Sequence, residues 1–387
     1  MLSDVNKKLY FIPSSATSVL VVDALEVTAD DTTLSGLSAQ PRKWAGGVQA
    51  HCQPAGPGGG GGGGGGGPGS RGRRMQSMGD DSELLFTCTN PSGGFIFGIP
   101  FNAASVLVID PFTSTVDDTS IRLQGGGSGK WWHGARSDSG LIIGIPYESS
   151  DILVIDPGAM TASTVPLVGG LASGQWRGGV FAPNGRLYGM PFAATSVLVL
   201  ESSSVTGIGD VDSDQSWDGG VLAPNGKIYA IPSSASSILA IDPADNSIEH
   251  VESCAQRESA WSGGVLGPNG RVYGIPFNAD AMFELDPVTG LASSYANRLD
   301  SVMDGAVAAV RSDEPQKWSH GALGPDGRIY AASWNAGAVL SVCVPCSAGT
   351  ERAKSRSSRD DAACTPCPSK AGEPTYSSSD GQSCERC

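Results

Sequence analysis

The chain has 387 residues, a formal net charge of −14, 40% apolar residues and only 17% charged ones, enough apolar material for one large domain plus a small module. The acidity, with no basic stripe to neutralise phosphates, excludes nucleic acid and an anionic membrane surface as partners. No stretch approaches the roughly 18 uncharged apolar residues of a membrane helix.

The first ten residues carry Asp4, Lys7 and Lys8 and no apolar run, so they do not read as a secretory signal. From there the chain repeats itself. The first element is half a unit centred on Tyr10, with Ile12-Pro13 behind it and Val19-Leu20-Val21-Val22-Asp23 following. Trp44 opens the next unit as Trp44-Ala45-Gly46-Gly47-Val48, which residues 49–89 then interrupt with ten consecutive glycines, Gly58–Gly67, and Arg71-Gly72-Arg73-Arg74. Trp44 to Phe97 spans 53 residues against 12 from Trp176 to Tyr188, so about 41 residues are inserted at a hairpin turn. Such a low-complexity segment cannot bury a core and is expected to be disordered.

Further units open at Trp132, Trp176, Trp217, Trp261 and Trp318, the first four of these spaced by 44, 41 and 44 residues. The clearest copy runs from Trp217-Asp218-Gly219-Gly220-Val221 through Ala223-Pro224-Asn225-Gly226 and Ile228-Tyr229-Ala230-Ile231-Pro232 to Ser237-Ile238-Leu239-Ala240-Ile241-Asp242-Pro243. Its apolar runs are short and rich in β-branched and aromatic residues, which predicts strands. Pro-Asn-Gly between the first two predicts a hairpin, Pro presetting φ and Gly accepting positive φ. Asp-Pro makes the next turn, and Ser247–Val251 reads as a weaker fourth strand. Four antiparallel strands every ~40–45 residues is the spacing of a propeller blade. The second half of the unit occurs seven times, centred on Tyr10, Phe97, Ile143, Tyr188, Tyr229, Tyr273 and Tyr330, but the Trp half only six times. The chain thus begins inside a repeat, which reads either as a ring closed by shared strands or, the favoured expectation, as an incomplete amino terminus.

The unit resembles the YVTN and NHL families of β-propeller repeat in its Pro-Asp/Asn-Gly turn, its Tyr strand and its Val-x-Val-Ile-Asp strand, over roughly residues 1–342. The Trp-x-Gly-Gly-Val opening departs from them and is closer to propeller repeats of protist proteins. The resemblance implies an all-β fold of about seven four-stranded blades and leaves function open.

Six of the nine cysteines form three pairs at the end of the chain, Cys343/Cys346, Cys364/Cys367 and Cys384/Cys387. The spacing C-x2-C-x17-C-x2-C of the first two pairs also fits a zinc site. Cys343-Val344-Pro345-Cys346-Ser347-Ala348-Gly349-Thr350 and Cys364-Thr365-Pro366-Cys367 resemble the ephrin-receptor-like cysteine-rich repeat, which implies that the six cysteines pair as disulfides in an extracellular or cell-surface module at 343–387. Cys387 ends the chain, so a further repeat is expected beyond it. Cys52, Cys88 and Cys254 read as unpaired or structural.

Little in the sequence announces chemistry. Gly-x-Ser-x-Gly and His-Glu-x-x-His do not occur. His51, His133, His250 and His320 lack ligand spacing; His133 and His320 lie beside repeat tryptophans, which would allow them to meet on a face, but the plainer expectation is histidines facing solvent or satisfied in turns. Asp210-x-Asp212-x-Asp214 opens like a calcium loop, but Gln215 and Val221 stand where the turn Gly and the bidentate acid belong, so it reads as a solvated loop.

One site is expected from repeat geometry: Trp44, Trp132, Trp176, Trp217, Trp261 and Trp318 ringing one face near Phe101, Tyr147, Phe192 and Phe277, an arrangement suited to a protein or carbohydrate ligand, or else inter-blade packing. The expectation is a monomeric, non-enzymatic binding or scaffold propeller with no catalytic residue, no metal and no cofactor. Two other readings are a metal-dependent propeller hydrolase or lactonase, and a cytoplasmic interaction propeller with a zinc-bound tail.

Overall fold

The computed structural model describes residues 2–3, 6–26, 28–50, 94–123, 127–167, 171, 175–202, 204–253, 259–294, 315–334, 339–344, 350–352 and 364–366. The Gly-rich insertion, Cys346, Cys367, Cys384 and Cys387 of the three tail pairs, and Cys52, Cys88 and Cys254 lie outside these residues, as do the side chains of Cys343 and Cys364.

Each repeat forms one antiparallel sheet. In the fifth, Trp217–Leu222 pairs with Ile228–Pro232, that strand with Ser237–Asp242, and the third with Ser247–Glu252. Sheets of four strands also begin at Trp44, Trp131, Trp176 and Trp261. Among the described residues the first sheet, Leu9–Phe11, Leu20–Asp23 and Thr28–Asp30, has three strands, as has the last, Trp318–Leu323, Arg328–Ser333 and Leu340–Cys343. Two short strands beyond them, Thr350–Arg352 and Cys364–Pro366, pair with each other. No helix among the described residues is long and apolar enough to cross a membrane.

The seven sheets are blades of a closed propeller, because seven apolar clusters join them pairwise round a ring. Trp44, Ile96 and Leu107 of blade 2 pack on Tyr10 and Val19 of blade 1, Trp217 and Leu239 of blade 5 on Tyr188 and Val199 of blade 4, and the series runs on unbroken. The last cluster closes it, setting Tyr330 of blade 7 against Leu9, Phe11 and Val22 of blade 1. No blade can bury both faces of its sheet without its neighbours.

The repeat consensus now has physical reasons. The indole Nε1 of Trp217 donates to the Ser237 carbonyl of its own blade at 2.8 Å, and Trp44, Trp176 and Trp261 make the same bond. In blade 3 this position belongs to Trp131, which pairs with Pro146 and donates to Asp151 O at 2.7 Å, so the repeat starts one residue earlier than Trp132. The second glycine of the motif admits the preceding blade: a Cβ on Gly264 would fall 2.5 Å from Ile231 Cδ1. The turn asparagine does more than turn. Asn225 Nδ2 donates to Tyr229 Oη at 2.8 Å and to the Pro287 carbonyl of blade 6 at 2.9 Å, and Asn184 and Asn6 tie their own blades to the next through Pro243 and Pro111. Ahead of three tryptophans, Trp44, Trp131 and Trp318, sit buried lysines, Lys43, Lys130 and Lys317. Lys130 Nζ donates to the Ala103 and Gly127 carbonyls, and Lys43 Nζ to those of Ala16 and Ser38, with burial pushing both amines below their usual value.

Candidate functional site

Every inner strand of blades 2–7 carries the same irregularity just after its tryptophan. In blade 5 Trp217 pairs with Pro232 and Gly220 with Ala230, so the inner strand holds one residue more than its partner between those pairs. Gly219 absorbs this β-bulge with a φ of 80°. Bulges re-aim the side chain beside them. The residue following the tryptophan is the position where the repeats disagree: Ala45, Trp132, Arg177, Asp218, Ser262, Ser319. All but Ala45 line a cavity of about 490 Å³.

The next position is glycine with positive φ in blades 2, 4, 5 and 6 (Gly46, Gly178, Gly219, Gly263), but His133 and His320 in blades 3 and 7, with φ of 59° and 48°. A side chain in the left-handed region carries strain, even for histidine, which tolerates it better than most. The two imidazoles stack with centroids 3.8 Å apart, using space that Gly46 and Gly263 leave: a Cβ on Gly263 would lie 2.5 Å from His320 Cδ2.

Around His320 the polar groups form a closed circuit. Asp218 Oδ1 lies 3.4 Å from His320 Nε2, and Ser262 Oγ donates to Asp218 Oδ2 at 2.9 Å. Ser319 Oγ lies 2.9 Å from His320 Nδ1 and Ser262 Oγ 3.4 Å from it. Arg177 Nη1 approaches Asp218 Oδ2 at 3.8 Å. Asp218 is 3% exposed, and burial opposes its ionisation, but His320 and Arg177 outweigh that and hold the carboxyl well below the usual carboxylate range. Burial, with His320 adding to it, pushes His133 far down, so it is a neutral imidazole at pH 7. Four buried side-chain atoms here, Trp132 Nε1, Arg177 Nε, Asp218 Oδ1 and His320 Nε2, have no hydrogen-bond partner. Such orphans are costly inside a protein and mark places organised for something else.

Aromatic rings wall the cavity. The residue after each second-strand Pro, or after Ser333 in blade 7, is Phe101, Tyr147, Phe192, Ser233, Phe277 and Trp334 round blades 2–7, and all six line it. Phe101 packs on Trp132 at 5.2 Å and on Tyr147 at 5.7 Å, Tyr147 on Phe192 at 6.0 Å, and Phe277 on Trp334 at 6.1 Å. The Arg177 guanidinium lies over Phe192 at 3.4 Å and over Trp132 at 4.3 Å, a cation–π setting that holds it flat against the wall.

The structure divides the expected tryptophan ring. Trp44, Trp176, Trp217 and Trp318 are buried between blades, at 0–2% exposure, and do not line the cavity. Trp132 does, with Trp261 and with Phe101, Tyr147, Phe192 and Phe277. His133 and His320, expected to face solvent or to be satisfied in turns, instead stack on one another. Arg177, Asp218, Ser262, Ser319 and Trp334 were not anticipated, and the signal that could have found the first four is their position as the variable letter of a conserved motif. Asp210, Asp212 and Asp214 are exposed in the loop entering blade 5, and among the described residues no group of three or more His, Cys, Asp or Glu is placed to hold a metal.

No family profile matches the sequence. No curated protein matches it either. Solved structures do. Virginiamycin B lyase from Staphylococcus aureus superposes with a TM-score of 0.61 at 10% identity, over 89% of this chain and 93% of that one. Hydrazine synthase of Kuenenia stuttgartiensis gives 0.56 at 18% identity, over 89% and 94%. The extracellular domain of a one-component system from B. thetaiotaomicron gives 0.56 at 8% identity, over 89% of this chain but 39% of that one. At such identities the likeness establishes the seven-bladed propeller fold. It also corrects one expectation: two of these three neighbours are enzymes, so the sequence-based assignment of the chain as a non-enzymatic scaffold does not stand.

Proposed function

We propose that this propeller is an enzyme that moves a proton at a carbonyl substrate, in a hydrolysis or an elimination, with His320, behind the cavity-lining Ser319, as the base. One observation carries the reading: Asp218 Oδ1 and His320 Nε2 face each other, buried and otherwise unpartnered, while Asp218, Ser262, Ser319 and Arg177 open on one aromatic-walled cavity. The Asp218 carboxylate, 3.4 Å from Nε2, favours the proton on that nitrogen and leaves Nδ1, beside the Ser319 hydroxyl, as the basic nitrogen. Arg177 supplies fixed positive charge where a carbonyl oxygen gains electron density. Phe101, Trp132, Tyr147, Phe192, Trp261 and Phe277 hold the apolar part of the substrate.

Asp218→Asn tests this, because the carboxamide keeps the shape and removes the charge that pins the tautomer. On aromatic esters and lactones, kcat is expected to fall by about 10²–10⁴-fold with KM little changed. A wild-type protein inert towards every carbonyl substrate tried, or an Asp218→Asn protein at full rate, overturns the reading.

We also propose that residues 343–387 are a separate, disulfide-stapled module of an extracellular or cell-surface chain, a reading supported by the spacing of the three Cys pairs and by the poverty of so small a segment in apolar residues. Thiol titration of the intact protein, with metal analysis alongside, is expected to show the six tail thiols only after reduction. Titratable tail thiols without reductant, together with bound zinc, would replace this with the zinc reading.

A further inference from the structure

We infer that Ser319 is a covalent nucleophile and that the substrate is a carboxylic ester bearing an aromatic group. This deepens the proton-transfer reading and rests on His320 being the base.

Ser319 and Ser262 both stand in the cavity lining near His320, and the hydrogen bonds separate them. The Ser262 hydroxyl donates to Asp218 Oδ2 at 2.9 Å, so its proton is committed to a carboxylate. His320 Nε2 lies 3.4 Å from Asp218 Oδ1 without a hydrogen bond between them, and a proton kept on Nε2 by that carboxylate leaves Nδ1 as an acceptor. The hydroxyl nearer to Nδ1 is Ser319, at 2.9 Å against 3.4 Å for Ser262, the two hydroxyls lying 3.1 Å apart. A hydroxyl facing a cavity, a base within 2.6–3.2 Å of it and a carboxylate orienting that base is the geometry of an activated nucleophile. Packing does not dictate serine here, since blades 2–5 carry Ala45, Trp132, Arg177 and Asp218 at the same place and blade 6 alone shares a serine, Ser262. The relay is compact: base and nucleophile are consecutive residues, held apart by the bulge that gives His320 its φ of 48°.

The chemistry balances with water as the only co-reactant. Ser319 Oγ attacks the ester carbonyl carbon as its proton passes to His320 Nδ1, and the carbonyl π pair moves to oxygen, stabilised by Arg177. Collapse restores the C=O, breaks the bond to the alcohol and returns the proton from His320 to that leaving oxygen. Water, deprotonated by His320, then attacks the acyl-serine, and Ser319 leaves and recovers its proton. An ester suits one serine and one base, because its alkoxide leaves more readily than an amine. The ladder Phe101–Trp132–Tyr147–Phe192, with rings 5.2–6.0 Å apart, selects a flat aromatic group on the acyl or alcohol side.

The full chain is treated with a fluorophosphonate probe and, separately, assayed with p-nitrophenyl benzoate and phenyl butyrate. Ser319 is expected to carry the phosphonyl adduct by peptide mass spectrometry, the adduct to vanish in Ser319→Ala and in His320→Ala, and turnover to show a burst of phenol. Ser319→Ala should lower kcat on the order of 10³–10⁴-fold with an unchanged melting temperature. No adduct on Ser319, with His320-dependent turnover surviving in Ser319→Ala, sinks the nucleophile while leaving the base. Absence of both adduct and turnover sinks both.

Discussion

His320→Gly is expected to abolish turnover while leaving the propeller as stable as the parent, or more so. The position has φ of 48°, and its counterparts Gly46, Gly178, Gly219 and Gly263 sit at 74–80° in blades that form the same bulge. Glycine there removes a left-handed strain worth about 1 kcal/mol. Against this the variant loses the stack on His133 and leaves Asp218 with Ser262 and Arg177 as its remaining partners. Those terms oppose one another, so the melting temperature stays within a few degrees of the parent's or rises. Turnover falls by about 10²–10⁴-fold, because the proton acceptor is gone. Strain kept at a functional position at the expense of stability is the pattern expected of an active site. Ester turnover and thermal melting on the same preparation check both halves. A variant that melts far lower yet keeps its activity would make His320 a packing residue, and with it the base assignment would fail.

The architecture was legible because a propeller writes itself into sequence several times over. Each of the seven second-strand centres, from Tyr10 to Tyr330, lies on a strand, and the Pro-Asn-Gly hairpins are where self-similarity places them. The site was illegible for the complementary reason. Averaging over repeats brings out what blades share, and the proposed chemistry sits in what they do not: Arg177, Asp218, Ser262 and Ser319 fill one variable letter, and His133 and His320 replace a glycine. Reading Trp-x-Gly-Gly as a strand opening conceals the bulge, because the surplus residue shows only when Trp217 is paired with Pro232 and Gly220 with Ala230. The same blindness set the register of blade 3 one residue late. Trp131 and Trp132 are equal candidates for the repeat tryptophan until the indole of Trp131 is seen bonded to Asp151 O. The inter-blade bonds of Asn225 and Asn184 join residues about 60 positions apart, beyond any local turn rule.

Those adjacent tryptophans separate packing from function, and Trp217→Ala against Trp132→Ala exposes the difference. Trp217 is wholly buried in the cluster joining blades 4 and 5, with Tyr188, Val199, Leu239 and Ile241 around it. Truncation to alanine removes one of the largest buried side chains in the molecule and orphans the Ser237 carbonyl that the indole satisfies at 2.8 Å. The expected loss is about 3–5 kcal/mol, a large part of a typical domain's stability, measurable as a lower denaturant midpoint. Trp217→Phe refills most of the volume and leaves the carbonyl unpaired, for an intermediate loss of about 1–3 kcal/mol. Trp132, by contrast, spends its ring on the cavity wall against Phe101, Tyr147 and Arg177, and its Nε1 has no partner to lose. Trp132→Ala is therefore expected to cost less than half as much stability as Trp217→Ala, and to raise KM for aromatic substrates, since one face of their slot disappears. Equal stability losses with unchanged KM would mean that the aromatic wall is only another seam between blades, and the cavity would then have no claim on a ligand.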